Sequence, residues 1–175
     1  MQPSAAPRSR RPLAKIIVVF AVLAIAVFGY LSLSAGKPAP DVVFTALDGE
    51  KVTLKSLRGK VVMINFWATS CVTCVKEMPQ MAETYTKYKG QGLDFVAVAM
   101  SYDPPNYVLN FAQTRKLPFK VALDPQDSLA KAFGDVKLTP TTFVIDKNGA
   151  IIKRYVGEPD FVALHKLIEK LLAET

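Results

Sequence analysis

The chain has 175 residues, half of them apolar, and a net charge of +7 from 22 basic against 15 acidic side chains. Arg8, Arg10, Arg11 and Lys15 account for most of that excess, and what remains is spread too thinly to form the basic face that nucleic acid requires. No internal repeat or low-complexity tract divides the chain, so the part after the N-terminal region, about 139 residues, reads as one domain with a true core.

Ile16 to Leu33 carries no charge; at roughly 1.5 Å per residue it spans about 27 Å, close to the ~30 Å hydrocarbon core of a bilayer. The expectation is a transmembrane signal-anchor helix at 16–33, with the basic residues 1–15 held in the cytoplasm and the remainder exported, since positive flanks stay inside. Ser32-Leu33-Ser34 offers the small residues of a cleavage site, so a released, soluble periplasmic form is the alternative. The apolar stretch nevertheless exceeds the ~7–15 residues of a signal-peptide core. Ser9-Arg10-Arg11-Pro12-Leu13-Ala14-Lys15 also resembles a twin-arginine export signal, which leaves the direction unchanged. The expected location is the cytoplasmic (inner) membrane, crossed once, with residues 41–175 in the periplasm or outside the cell.

Residues 34–40, with Gly36-Lys37-Pro38-Ala39-Pro40, read as a short stiff linker. Val42 to Leu47 and Lys51 to Leu54 flank Asp48-Gly49 like a small β-hairpin. Val61 to Trp67 is almost continuously apolar, the pattern of a strand covered on both faces, and Leu93 to Met100 repeats it, so a parallel centre is expected. Between them Cys74, Met78, Met81 and Tyr85 recur at helical spacing, predicting a crossover helix whose interior Pro79 frees the Val75 carbonyl and kinks it. Asp103-Pro104 reads as an N-cap with proline at the first helical position, opening a helix to about Lys116. Asp124-Pro125 repeats the device for a helix ending near Gly134, with a short strand at 121–124 between them. Thr141 to Asp146 and Ala150 to Tyr155 surround the turn Lys147-Asn148-Gly149, and Phe161 to Leu172 is an amphipathic helix. The expected fold class is α/β, a central mixed sheet with helices on both faces.

Cys71 and Cys74 are the only cysteines, and they stand where the first apolar strand gives way to the crossover helix. Their spacing puts both thiols within one helical turn, close enough for a short disulfide, and leaves the first among the unpaired N–H groups of the helix start. That field, roughly 1–2 kcal/mol in a partly buried site, should make Cys71 about one unit more acidic than a free thiol near 8.5. Cys71 is the expected attacking thiolate and Cys74 the thiol that resolves a mixed disulfide. A zinc site would need further ligands, and His165 is the chain's single histidine; a structural staple over two residues would constrain the unfolded chain very little. His165 itself, on the last helix and far in sequence from any partner, reads as structural.

Phe66-Trp67-Ala68 before the cysteines, Cys74-Val75-Lys76-Glu77-Met78-Pro79, the helix inserted around Asn106 to Lys116, and Leu138-Thr139-Pro140-Thr141-Thr142-Phe143 together resemble the thioredoxin superfamily. Within it they are most like the TlpA/ResA-like membrane-anchored thiol-disulfide oxidoreductases. The resemblance covers Pro40 to Leu172. It implies a thioredoxin-like fold with an N-terminal β-hairpin and a central helical insertion, working through a redox-active Cys71–Cys74 disulfide with no other cofactor and no metal. It also implies a cis Thr139-Pro140 peptide packed against the disulfide, with Thr139 offering its backbone to a substrate strand; without the family, Pro140 is an ordinary proline at the first residue of a strand.

Glu77 matches an acidic residue that lies beneath the cysteines in ResA-like members. Read by itself, it follows Cys74 by three residues and has Thr73 and Met81 as helical neighbours, with no lysine to pair with. Burial would raise its pKa toward neutrality and let it accept the Cys74 proton; a solvated surface glutamate is the alternative. Asn65 stands where many thioredoxins have a buried aspartate, and an amide takes no proton, which leaves a general-base role to Glu77. Ser70 replaces the tryptophan that usually precedes the first cysteine and is a candidate helix cap. Trp67 is expected to pack against the active site, with simple core filling as the alternative. Trp67, Ser70, Thr139 and Pro140 make up the candidate substrate-binding set.

Val72 and Thr73 add no charge that would stabilise the Cys71 thiolate further, so a weak oxidant suited to delivering electrons is expected. The expected activity is reduction of protein disulfides through a Cys71/Cys74 dithiol-disulfide cycle. By resemblance, the partners are protein disulfide or dithiol substrates, namely the haem-binding cysteines of an apocytochrome c or a copper-site assembly protein, together with a membrane thiol-disulfide electron carrier and the lipid bilayer. Two alternatives stay open. A Cu(I) metallochaperone would use the two thiolates as soft ligands, and a thiol peroxidase would use the same fold, although the Pro-x-x-x-Thr-x-x-Cys arrangement of peroxiredoxins is missing.

Overall fold

The computed structural model describes Gly36 to Glu174, together with Phe20 and Leu23. The expected membrane span at 16–33 and the basic segment 1–15 lie outside the described residues apart from those two positions; among the described residues no helix is long and apolar enough to cross a membrane.

Three short strands come first: β1 (Lys37–Pro38), β2 (Val43–Thr45) and β3 (Lys51–Thr53). The second and third pair antiparallel as a separate two-stranded sheet, Phe44 opposite Val52, and both of these side chains are buried. β4 (Val61–Trp67) and β5 (Leu93–Ala99) are buried at every position and run parallel, Val61 beside Leu93 and Trp67 beside Ala99. Successive strand side chains point to opposite faces. Val61, Met63 and Trp67 therefore enter one core with Phe95, while Val62, Ile64 and Phe66 enter a second with Val96 and Val98. Neither strand alternates apolar with polar because both faces are covered.

The crossover between them is α1 (Val72–Tyr88), which lays Cys74, Met78 and Met81 on the first core. Burying each of those methionines contributes roughly 1.5–3 kcal/mol. Pro79 does not break this helix: its side chain is exposed, so the helix passes through it on the solvent side, where the freed carbonyl is tolerated most easily. α2 (Pro105–Thr114) then leads to β6 (Lys120–Leu123), parallel to β5, and the short α3 (Ser128–Ala132) precedes β7 (Thr141–Ile145), antiparallel to β4. β8 (Ala150–Val156) returns antiparallel beside β7. In the turn between them Gly149 takes φ 77, and the Arg58 guanidinium, donating to the Asn148 carbonyl, fills the space a side chain would need. α4 (Phe161–Ala173) is capped by Asp160, which accepts from the N–H groups of Val162 and Ala163, and its Leu164, Ile168 and Leu171 return to the first core.

The sheet order is β1-β8-β7-β4-β5-β6. Lys37 and Pro38, read as linker from the sequence, are thus an edge strand, Lys37 opposite Ile151. Proline lacks the N–H a central strand would need, and the edge spares it that demand. Two helix starts also differ from expectation. α2 has Pro104 at its N-cap with no side-chain bond, and Asp103 is directed elsewhere. Asp124 does serve α3, but across an intervening turn: it accepts from the N–H groups of Leu129 at 3.1 Å and Ala130 at 2.8 Å and from the Ser128 hydroxyl at 3.2 Å.

Candidate active site

Three loops leave the sheet at one edge. β4 ends at Trp67, β5 ends beside it at Ala99, and β7 begins at Thr141 opposite Phe66. Residues 68–71, 100–103 and 138–140 therefore emerge together, and the Met100 N–H donates to the Trp67 carbonyl at 3.0 Å just before the strands part.

Cys71 and Cys74 are joined as a disulfide with their Cα atoms 5.2 Å apart. Cys71 is the N-cap of α1, with extended backbone at φ −86 and ψ 106, and its Sγ accepts the Cys74 N–H at 3.2 Å. A thiolate at that sulfur would take the same orphan N–H more strongly, because hydrogen bonds to a charged acceptor are the stronger ones. The two sulfurs are not equivalent: Cys71 is half-buried and Cys74 has no exposure. Solvent, and hence a partner, reaches only Cys71. Ser70 is exposed and is not the cap, contrary to expectation. The turn closed by Cys71 N–H on the Ala68 carbonyl at 3.1 Å puts the residue that opens the helix at 71.

Glu77 lies on the buried face of α1 with Cys74, fully shielded from solvent. Burial pushes its pKa up to about 8; the Asn65 hydrogen bond pulls it down and Glu158 raises it further. Asn65 on β4 donates through Nδ2 both to Glu77 Oε1 at 3.1 Å and to Thr142 Oγ1 at 2.9 Å, Thr142 being its partner across the β4–β7 ladder. Among the described residues, Glu77 Oε2 and Asn65 Oδ1 are buried without any partner. One carboxyl oxygen is thus held and the other is open to give or take a proton.

Thr139-Pro140 is a cis peptide, as the resemblance implied. The Thr139 hydroxyl lies 3.3 Å from that of Tyr102, and Thr141 Oγ1 donates to the Leu138 carbonyl at 2.7 Å. Trp67 packs in the core with Cys74 and is not placed to bind a substrate. It has no exposure, and its ring centroid is 5.1 Å from that of Phe111. It supports the pair from within the core and is out of a substrate's reach. His165 is structural: Nε2 is 2.8 Å from Thr84 Oγ1, the ring packs on Tyr88, and burial lowers its pKa.

Sequence reasoning missed two residues at this edge. Thr142 meets Asn65 only through strand register. Asp103, nearly buried, accepts from the Thr69 N–H at 2.6 Å and the Thr69 hydroxyl at 2.5 Å. The Asp-Pro signal that marks it is the same one that announces a cap, so its role was not legible locally. Among the described residues no group of three or more His, Cys, Asp or Glu side chains is placed to hold a metal ion.

Residues 34–167 match the Redoxin family. The chain is 40% identical over 147 residues to the thiol-disulfide oxidoreductase ResA of Bacillus cereus, covering 82% of this chain and 84% of that protein. It is 39% identical over 129 residues to ResA of Bacillus subtilis, covering 74% and 71%. The fold resembles that of a thioredoxin-family thiol:disulfide interchange protein from Chlorobium tepidum, with a TM-score of 0.73 and 28% identity over 80% of this chain and 99% of that one.

Proposed function

The chain belongs to the Redoxin family and is a ResA-like thiol-disulfide oxidoreductase of the thioredoxin superfamily, and from that premise we propose that it reduces protein disulfides outside the cytoplasm while residues 16–33 tether it to the membrane. One arrangement carries this reading: an approachable sulfur at the start of α1, a shielded sulfur one turn on, and on the same buried helix face a carboxyl group with an unpaired oxygen.

In the reduced protein, the Cys71 thiolate attacks one sulfur of a substrate disulfide. A Cys71–substrate S–S bond forms and the substrate's own S–S bond breaks, its second sulfur leaving as a thiolate. The Cys74 thiol passes its proton to ionised Glu77, a base whose pKa of about 8 lies close to that of a thiol. The Cys74 thiolate then attacks Cys71 Sγ, which forms the intramolecular disulfide and expels the second substrate thiolate. Two electrons have moved from the protein to the substrate. A membrane thiol-disulfide carrier returns them from outside this chain.

Val72 and Thr73, both exposed and uncharged, add nothing to the stability of the Cys71 thiolate, which favours electron delivery over strong oxidation. The substrates we propose are the haem-binding cysteines of an apocytochrome c or the cysteines of a copper-site assembly protein. The test is to express full-length Cys74→Ser in cells, where it cannot resolve, and to identify what is disulfide-bonded to Cys71. Recovery of an exported cysteine-pair protein supports the reading. A reduced Cys71 with nothing attached, together with tight stoichiometric Cu(I) and no disulfide turnover in the wild type, would replace it with metal delivery.

A further inference from the structure

The geometry points to Tyr102 and Asp103 as a positioning pair that sets the Cys71 loop and the Thr139 loop against each other, so that a polypeptide disulfide meets Cys71 in line; this deepens the reductase reading and rests on it. The two residues are consecutive, yet they reach opposite sides of the site. Asp103 spends both carboxylate oxygens on Thr69, two residues before Cys71, one on the backbone N–H at 2.6 Å and one on the hydroxyl at 2.5 Å. Tyr102 places its hydroxyl 3.3 Å from Thr139 Oγ1, beside the cis Pro140.

Neither contact serves the helix that the two residues precede. Asp103 stands one residue before the N-cap of α2, which is Pro104 and makes no side-chain cap bond. Its carboxylate is committed to the cysteine loop instead. Tyr102 is 57% exposed, so little apolar burial holds its ring where it stands. Hydrogen bonds to a charged acceptor are roughly twice as strong as neutral ones. Asp103 is therefore the rigid arm and Tyr102 the adjustable one. The Asp103 N–H donates to the Met100 carbonyl at 3.0 Å, which closes a turn and fixes the dipeptide itself to the end of β5. A small disulfide needs only Cys71; for a polypeptide that also lies along Thr139, as the resemblance implies, Tyr102 limits where that residue can go.

The experiment is thiol-disulfide exchange by the full-length protein, in both directions, with insulin and with a small aromatic disulfide such as DTNB, for wild type, Tyr102→Phe, Thr69→Val and Thr69→Ser. Tyr102→Phe is expected to raise KM for insulin by about three- to tenfold with kcat unchanged and with DTNB unaffected, the size of one hydrogen bond. In a Thr139→Ala background the same change should add nothing, because the hydroxyl has lost its partner. Thr69→Val removes one of the two bonds to Asp103 and should slow exchange with both substrates about tenfold, and Thr69→Ser, which keeps the hydroxyl, should restore it. An equal loss on insulin and DTNB in Tyr102→Phe, additivity with Thr139→Ala, or a wild-type rate in Thr69→Val would overturn the proposal. Exchange runs whichever net direction the cell uses, so a failed trapping result would remove the reductase reading while these rates still judge the positioning pair.

Discussion

Glu77 is held on one side only, and that asymmetry decides its chemistry. Its folded pKa of about 8 against an ordinary 4.5 means that between these values the native protein holds a proton which the unfolded chain has released. Stability from this group is full below about pH 4.5 and declines as pH rises toward 8, at roughly 1.4 kcal/mol per unit within the window. Glu77→Gln cannot titrate. Urea unfolding should therefore show it gaining on the wild type by a few kcal/mol between pH 5 and pH 8. The same variant should slow release of a mixed disulfide on the order of a hundredfold, and the pH dependence near 8 should disappear from that step. Parallel pH profiles for the two proteins in both measurements would remove Glu77 as the proton acceptor. Sequence reasoning reached Glu77 through the family resemblance and its helical neighbours, but the Asn65 and Thr142 contacts that hold one oxygen and leave the other open exist only because β4, β7 and α1 meet.

At the scale of elements, local chemistry foretold where strands and helices lie better than where they begin. Continuous apolar runs named β4 and β5, and the Asn148-Gly149 turn named the β7–β8 hairpin, since those signals depend on nearest neighbours. Asp-Pro was the ambiguous sign. At Asp124 the carboxylate reaches past Pro125, Gln126 and Asp127 to two backbone N–H groups of α3, and at Asp103 it turns away from its helix to Thr69. Asp124 is almost wholly buried, so removing it strands those donors away from water. Asp124→Ala should lower stability by about 1–3 kcal/mol by urea denaturation, with Asp124→Asn losing less because one acceptor remains. Equal stability of the alanine variant would mean that the α3 start is satisfied by other groups.

For the whole molecule, the decisive expectation is topological. If residues 16–33 span the bilayer with 1–15 inside, the full-length protein should sediment with membranes, and a C-terminal alkaline phosphatase fusion should be active. Deleting residues 1–35 should release a soluble domain that reduces insulin at the wild-type rate, because every residue of the site lies beyond Gly36 and β1 keeps its place from Lys37. An inactive phosphatase fusion, or a shortened protein that stays with membranes, would overturn the tether. The mixed sheet explains why the site can be built at one edge: parallel β4 and β5 end where antiparallel β7 begins, so a cysteine loop, an acidic turn and a cis-proline loop share one rim.

Two cysteines one turn apart, an apolar strand before them and a run long enough to cross a bilayer were legible in the chain because each is a matter of spacing and hydropathy along it. Which sulfur is exposed, which atom of Glu77 stays free, that Trp67 is buried out of a substrate's reach and that Asp103 serves Thr69 were decided by the tertiary structure alone. Burial and hydrogen-bond partnership belong to groups brought together from distant positions, and no local window of sequence contains both halves of such a contact.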